Sequence, residues 1–277
     1  MDVRPIELRA ADGQQLAATL YDAGARDALL VASAMGVRRR YYDAFARYAA
    51  EHGRNVVTLD YRGIGDSRPR SLRGFDATMH DWGTLDLPAA IDWIARELRP
   101  RSFAYLGHSA GGQLAGLAPN IGRADRIVFV AAQSGYWRHW PGVRAYGLGL
   151  LWIAMPVISR ALGWFPGKLL IGSEDLPRGV ASEWARWGRH PEYLFGYNDA
   201  ATYARVTAPL LAYSLRVDHY APRRAVDALV AKYGNAKVTR VHRDDGIGHF
   251  DAFRKGKGER LWEEIVEWLR RGLDTPL

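Results

Sequence analysis

One short stretch constrains this chain more than any other. Ser102 to Leu106 is an apolar run of strand character that passes directly into Gly107-His108-Ser109-Ala110-Gly111, and a small-residue helical pattern from Ala110 to Leu117 follows, stopping before Pro119. A side chain carried on so tight a strand-to-helix turn needs small neighbours two residues to either side, because there the backbones approach closely. Such a turn projects a serine hydroxyl from the end of a sheet, which makes Ser109 the candidate nucleophile. The chain has no Cys, which excludes a thiol nucleophile, a thiolate metal site and a disulfide framework.

Around this turn, strand and helix patterns alternate as in a parallel, doubly wound sheet. Ile6 to Leu8 and Leu16 to Tyr21 flank the turn dipeptide Asp12-Gly13 and predict a hairpin. Ala28 to Ser33, Asn55 to Leu59, Ile127 to Ala132, Leu210 to Ser214 and Lys237 to Val241 predict further strands. Helical spacing is expected from Tyr41 to His52, closing at Gly53, and from a cap at Asp81 to about Leu98. Two more helices are predicted over Pro222 to Tyr233 and Leu261 to Arg271. The alternation breaks between Ser134 and Arg205, which holds six of the ten Trp together with five Pro. A loop of that length is uncommon unless it folds on its own, so residues 134–205 are expected to be a helical insertion in a core made of residues 1–133 and 206–277.

A serine at neutral pH requires a base, and the base an orienting acid. With His108 set aside as the neighbour of Ser109, His52 and His80 precede the serine, while His139 and His190 fall in the insertion. His242 ends the last predicted strand, and His249 lies in the Gly-rich loop after it. Asp218 follows the strand Leu210 to Ser214, and Asp244 and Asp245 stand nearer His249 in sequence.

The serine turn, the segment Asp60-Tyr61-Arg62-Gly63-Ile64-Gly65-Asp66-Ser67 and the order of elements resemble the α/β-hydrolase family over nearly the whole chain. Ala34-Met35-Gly36-Val37, standing where a His-Gly start is common, resembles more narrowly the serine-aminopeptidase and monoacylglycerol-lipase-like branch. The resemblance implies an α/β fold: a mostly parallel eight-stranded sheet with helices on both faces and a helical cap above the nucleophile. It also implies the order nucleophile, acid, base, hence a triad of Ser109, Asp218 and His249, with an oxyanion hole formed by the backbone N–H groups of Met35 and Ala110. Asp60 and Arg62 are expected to hold loops through ion pairs. The Trp- and Leu-rich cap favours apolar substrate groups, with Trp137, Trp140 and Trp152 as pocket residues, although such aromatics also serve as the cap's own core.

The expected activity is cleavage of carboxylic esters with apolar acyl or aromatic groups through an acyl-enzyme. Thioesterase, peptidase and lactonase chemistry use the same triad, and a non-catalytic binding protein on this scaffold is the alternative of a different class. A serine at the turn argues against the carboxylate-nucleophile routes of haloalkane dehalogenases and epoxide hydrolases. No cofactor or metal is called for.

The formal charge of +8 invites a nucleic-acid or acidic-membrane reading, yet 33 of the 38 basic residues are Arg scattered from Arg4 to Arg271, without a groove-reading motif. The expected partner is a small ester-like molecule, not nucleic acid. The apolar stretch Tyr146 to Phe165 is interrupted by Pro156 and Arg160, so a buried or cap helix is expected there and no stable membrane insertion. The N-terminus MDVRPIELRAADG lacks the basic start and apolar run of a signal peptide, and a cytoplasmic protein is expected. Oligomeric state is not legible in these residues.

Overall fold

Continuous apolar runs suit strands buried on both faces, and alternating ones suit sheet margins. The computed structural model, which describes residues 1–271, follows that division. The strands are β1 (Asp2–Arg9), β2 (Gln15–Asp22), β3 (Asp27–Ala32), β4 (Asn55–Leu59), β5 (Ser102–His108) and β6 (Arg126–Val130), then β7 (Trp164–Phe165) and β8 (Leu176–Pro177), and finally β9 (Leu210–Leu215) and β10 (Val238–Arg243). Eight of them form one sheet in the order β1-β2-β4-β3-β5-β6-β9-β10, while β7 and β8 pair separately. Only β2 runs against its neighbours, and every pairing from β4 to β10 is parallel. The central strands β4, β6 and β9 are buried throughout, whereas the edge strands β1 and β10 alternate with solvent. The β1–β2 hairpin turns at Asp12-Gly13, with Gly13 at φ +87°.

The helices are α1 (Asp43–Glu51), α2 (Met79–Asp81), α3 (Leu87–Trp93), α4 (Ala110–Leu114), α5 (Val143–Leu162), α6 (Gly167–Leu170), α7 (Arg178–Arg189), α8 (Ala201–Ala204), α9 (Arg223–Val230) and α10 (Glu259–Arg270). One start differs from expectation. Thr78 rather than Asp81 caps α2: its hydroxyl accepts the Asp81 N–H, and the Asp81 carboxylate accepts the Thr78 N–H at 2.8 Å. A capping box reads the same in sequence from either end, and the reciprocal bond places the acid inside the helix.

Between β6 and β9 the chain forms α5 to α8 and the β7–β8 ribbon. Helices α5 and α7 pack together through Trp152 and Trp184, whose rings meet edge to face at 4.7 Å. Gly188 on α7 permits this approach, because a Cβ there would fall on the Trp152 indole. The expectation of a buried or cap helix over Tyr146 to Phe165 is met on one face only. The helix buries Trp152, Met155 and Ser159 and leaves Tyr146, Leu150, Ile153 and Val157 in solvent. Since all core strands except β2 point the same way, the loops after β3, β5, β9 and β10 gather at one sheet edge.

Candidate active site

The strand-to-helix turn after β5 is strained at its centre. Ser109 holds φ +51° and ψ −113°, a conformation that L-residues adopt only where their surroundings impose it. Gly107 and Gly111 make it accessible. A Cβ on Gly107 would stand 2.5 Å from the Gly112 nitrogen, and one on Gly111 would collide with the Ala32 carbonyl of the neighbouring strand. The turn is further held by the Tyr105 hydroxyl, which donates to the Gly111 carbonyl at 2.6 Å.

Asp218 and His249 meet from two separate loops. The Asp218 carboxylate takes the backbone N–H groups of Tyr220 and Ala221 on Oδ1, at 2.7 and 3.0 Å, and lies 2.7 Å from His249 Nδ1 through Oδ2. Both side chains are almost wholly buried. A carboxylate so placed accepts from Nδ1–H, which leaves Nε2 with its lone pair as the basic nitrogen. The other acids and bases of this region are engaged elsewhere: Asp244 pairs with Arg216, Asp245 with Arg243, and His242 Nδ1 lies 2.9 Å from the Ser214 hydroxyl. His219 is a rim residue, with its carbonyl accepting the Trp140 indole N–H at 2.8 Å and its ring 2.9 Å from Arg144.

Ser109, His249 and Met35 line one cavity of ≈ 150 Å³. Trp140 and Trp152 line it too. Trp137 does not: it belongs to the outer side of the cap, packed on Tyr146 with centroids 6.0 Å apart and covered by Arg138. Its place is taken by Trp184 from α7, with Leu148 and Leu151 from α5. No Asp, Glu, Lys or Arg lines this space. Among the described residues no acceptor takes the N–H of Met35 or of Ala110, and no group of three or more His, Asp or Glu is placed to hold a metal ion.

A hydrogen-bonded chain that spacing alone did not reveal ties these loops together. The Ala34 N–H donates to the Tyr42 hydroxyl oxygen at 2.8 Å, Tyr42 lies 2.8 Å from His108 Nδ1, and His108 Nε2 lies 3.1 Å from the His249 carbonyl. A carbonyl only accepts, so His108 carries its proton on Nε2 and Nδ1 receives the Tyr42 O–H. Burial, reinforced by neighbouring His249, pushes the His108 imidazole well below its ordinary pKa and keeps it neutral. The loop after β3, the serine turn and the His249 loop are thereby joined through one side-chain pair. Only the position of His108 beside Ser109 hinted at it.

Asp60 and Arg62 sit one layer further out. Asp60 accepts the Arg39 N–H at 2.6 Å and the Asp66 N–H at 3.0 Å and pairs with the Arg39 guanidinium, while Arg62 binds Asp86 at 2.7 Å and Asp12 at 2.6 Å. The insertion is anchored to the loop after β3 by the Glu174 N–H, which donates to the Gly36 carbonyl at 2.7 Å, and by the 2.9 Å Arg38–Glu174 pair.

A family model described as alpha/beta hydrolase fold matches residues 29–152, a span that includes the serine turn. Comparison with the curated proteins finds no match. Among solved structures, the Pyrococcus furiosus esterase Pf2001 is similar at TM-score 0.67 and 16% identity, covering 98% of this chain and 91% of that one. The α/β hydrolase GrgF from a Penicillium species is similar at TM-score 0.65 and 20% identity, covering 98% and 99%. Est1E from Butyrivibrio proteoclasticus, solved with ferulic acid bound, is similar at TM-score 0.60 and 17% identity, covering 95% and 97%. Sheet order, serine turn and these likenesses agree that the chain has the α/β-hydrolase fold.

Proposed function

We propose that this protein is a serine hydrolase of carboxylic esters that carry a small, neutral, apolar acyl or aromatic group. The observation that carries the reading is Ser109 on its strained turn, sharing an uncharged cavity with a His249 whose Nδ1 is held by buried Asp218. His249 Nε2 takes the hydroxyl proton as Ser109 Oγ attacks the carbonyl carbon, and the N–H groups of Ala110 and Met35 receive the charge that forms on the carbonyl oxygen. His249 then gives its proton to the departing alkoxide. Water, deprotonated by the same nitrogen, releases the acid from Ser109.

The cavity sets the scale of the substrate. A space of ≈ 150 Å³ is about what a benzene-sized group occupies, which favours a short acyl chain or a single ring over a long chain. The absence of a lining carboxylate disfavours a peptide substrate presenting a free amine, because no group would offset the cost of burying the ammonium. Similarity to several esterases supports an ester over an amide, and the Ala34-Met35-Gly36-Val37 segment keeps the chain near the monoacylglycerol-lipase-like branch.

The test is labelling by a fluorophosphonate together with a series of p-nitrophenyl esters of increasing chain length. Labelling is expected in the intact protein and absent in Ser109→Ala, with turnover lowered by about four orders of magnitude or more. Retained labelling or turnover in a folded Ser109→Ala protein overturns the proposal.

A further inference from the structure

Helix α5 is apolar on two faces, and the fold uses one. Its inner face closes the cavity with Leu148 and Leu151 and buries Trp152 and Met155. Its outer face carries Val143, Tyr146, Leu150, Ile153 and Val157, each more than half exposed, at the three- and four-residue spacing that stacks side chains into one ridge. From Val143 to Val157 that ridge is about 21 Å long. Folding does not require it, since most of this helix's surface stays outside the core.

The stretch of chain that carries the ridge has charge of one sign. From Ser134 to Ser173 the chain contains Arg138, Arg144, Arg160 and Lys168 and neither Asp nor Glu. Arg144 and Arg160 mark the two ends of the helix, both exposed, and among the described residues neither has a carboxylate partner. Arg138 stacks over Trp137 at 4.9 Å beside Tyr146, an aromatic and basic pairing suited to the headgroup level of a bilayer. A second copy of the chain fits poorly. Two such ridges packed antiparallel would set Arg144 against Arg160 at both ends, with no acid in either to relieve the repulsion.

We propose that the outer face of α5 is a docking surface for an anionic phospholipid membrane, on which the helix lies flat with its apolar ridge in the headgroup boundary. The buried inner face keeps the helix in the fold, so it rests on the surface rather than spanning it. Docked in this way, the protein holds the roof of its cavity against the lipid.

The test is co-sedimentation of the whole protein with phosphatidylcholine vesicles, with and without phosphatidylglycerol, read without any catalytic assay. Binding is expected to phosphatidylglycerol vesicles and to weaken with added salt. Arg144→Gln with Arg160→Gln is expected to lower partitioning about thirtyfold. Ile153→Glu with Val157→Glu is expected to abolish it while leaving thermal unfolding unchanged, both sites being exposed. Arg26→Gln with Arg99→Gln, which removes equal charge from loops preceding β3 and β5 at the opposite sheet edge, is expected to change partitioning less than twofold. Failure to bind, or an equal loss in the Arg26/Arg99 variant, overturns the proposal. So does a dimer in sedimentation that the Ile153/Val157 variant dissolves without any vesicle binding.

Discussion

The edge of the sheet and the inside of the cap both face the same cavity, yet they are held by different forces. At the sheet edge, position is set by directional bonds between polar groups that have few alternatives: Asp218 to His249, Tyr42 to Ala34 and His108, Glu174 to Gly36. In the cap, position is set by contact between apolar surfaces, such as Trp152 on Trp184 and Leu148 and Leu151 over the cavity. Hydrogen bonds in a buried site are costly to leave unmade, whereas an apolar contact degrades gradually with lost area. Chemistry should therefore fail abruptly when the edge is altered. Selectivity should drift when the cap is.

The sharpest way to break the comparison is Asp218→Asn. The amide preserves shape but presents N–H where His249 needs an acceptor, so the ring is expected to turn to the wrong tautomer and kcat to fall about 10⁴-fold. A kcat within tenfold of the parent would mean that the acid lies elsewhere. Tyr42→Phe comes next. It removes one oxygen and strands the Ala34 N–H and His108 Nδ1, each at about 1–3 kcal/mol; kcat is expected to fall about 10- to 100-fold with KM unchanged. A rise in KM with constant kcat would place Tyr42 in binding instead of positioning. Trp184→Ala tests the cap, and a few-fold change is expected. The preferred ester should move to a bulkier acyl group while kcat on the smallest ester holds. The smallest effect belongs to neither region: the exposed Arg216–Asp244 pair should contribute less than about 1 kcal/mol, as Arg216→Ala unfolding in urea would show.

Much of the sheet edge was legible beforehand because its constraints are local. The glycines that the Ser109 turn requires stand beside it in sequence, and the eight strand patterns appear at the places where the strands form. Asp218 and His249 were legible as candidates for a related reason, since each follows a strand that ends at the same edge, although only the family resemblance singled them out from Asp244, Asp245 and His242. The cap was legible only as an interval. Trp137 was expected in the cavity and lies outside it, while Trp184 was not singled out and lines it. Indoles carry no mark of direction, and which one faces inward depends on how α5 rolls against α7. The Tyr42–His108 link escaped for another reason: 66 residues separate its members, Tyr42 belongs to no motif, and the pattern of the serine turn leaves the position of His108 unspecified.

What the sequence by itself determined is the alternation of elements, the strained serine turn and the candidates for acid and base, because short-range sterics and hydrophobic period act within a few residues. It also determined the acid-free composition of residues 134–173. Only the tertiary structure decided which indoles meet the cavity, which proton His108 keeps, and which face of α5 remains bare. Those outcomes depend on packing between segments distant in the chain. An apolar helix carries no local sign of which side its neighbours will cover.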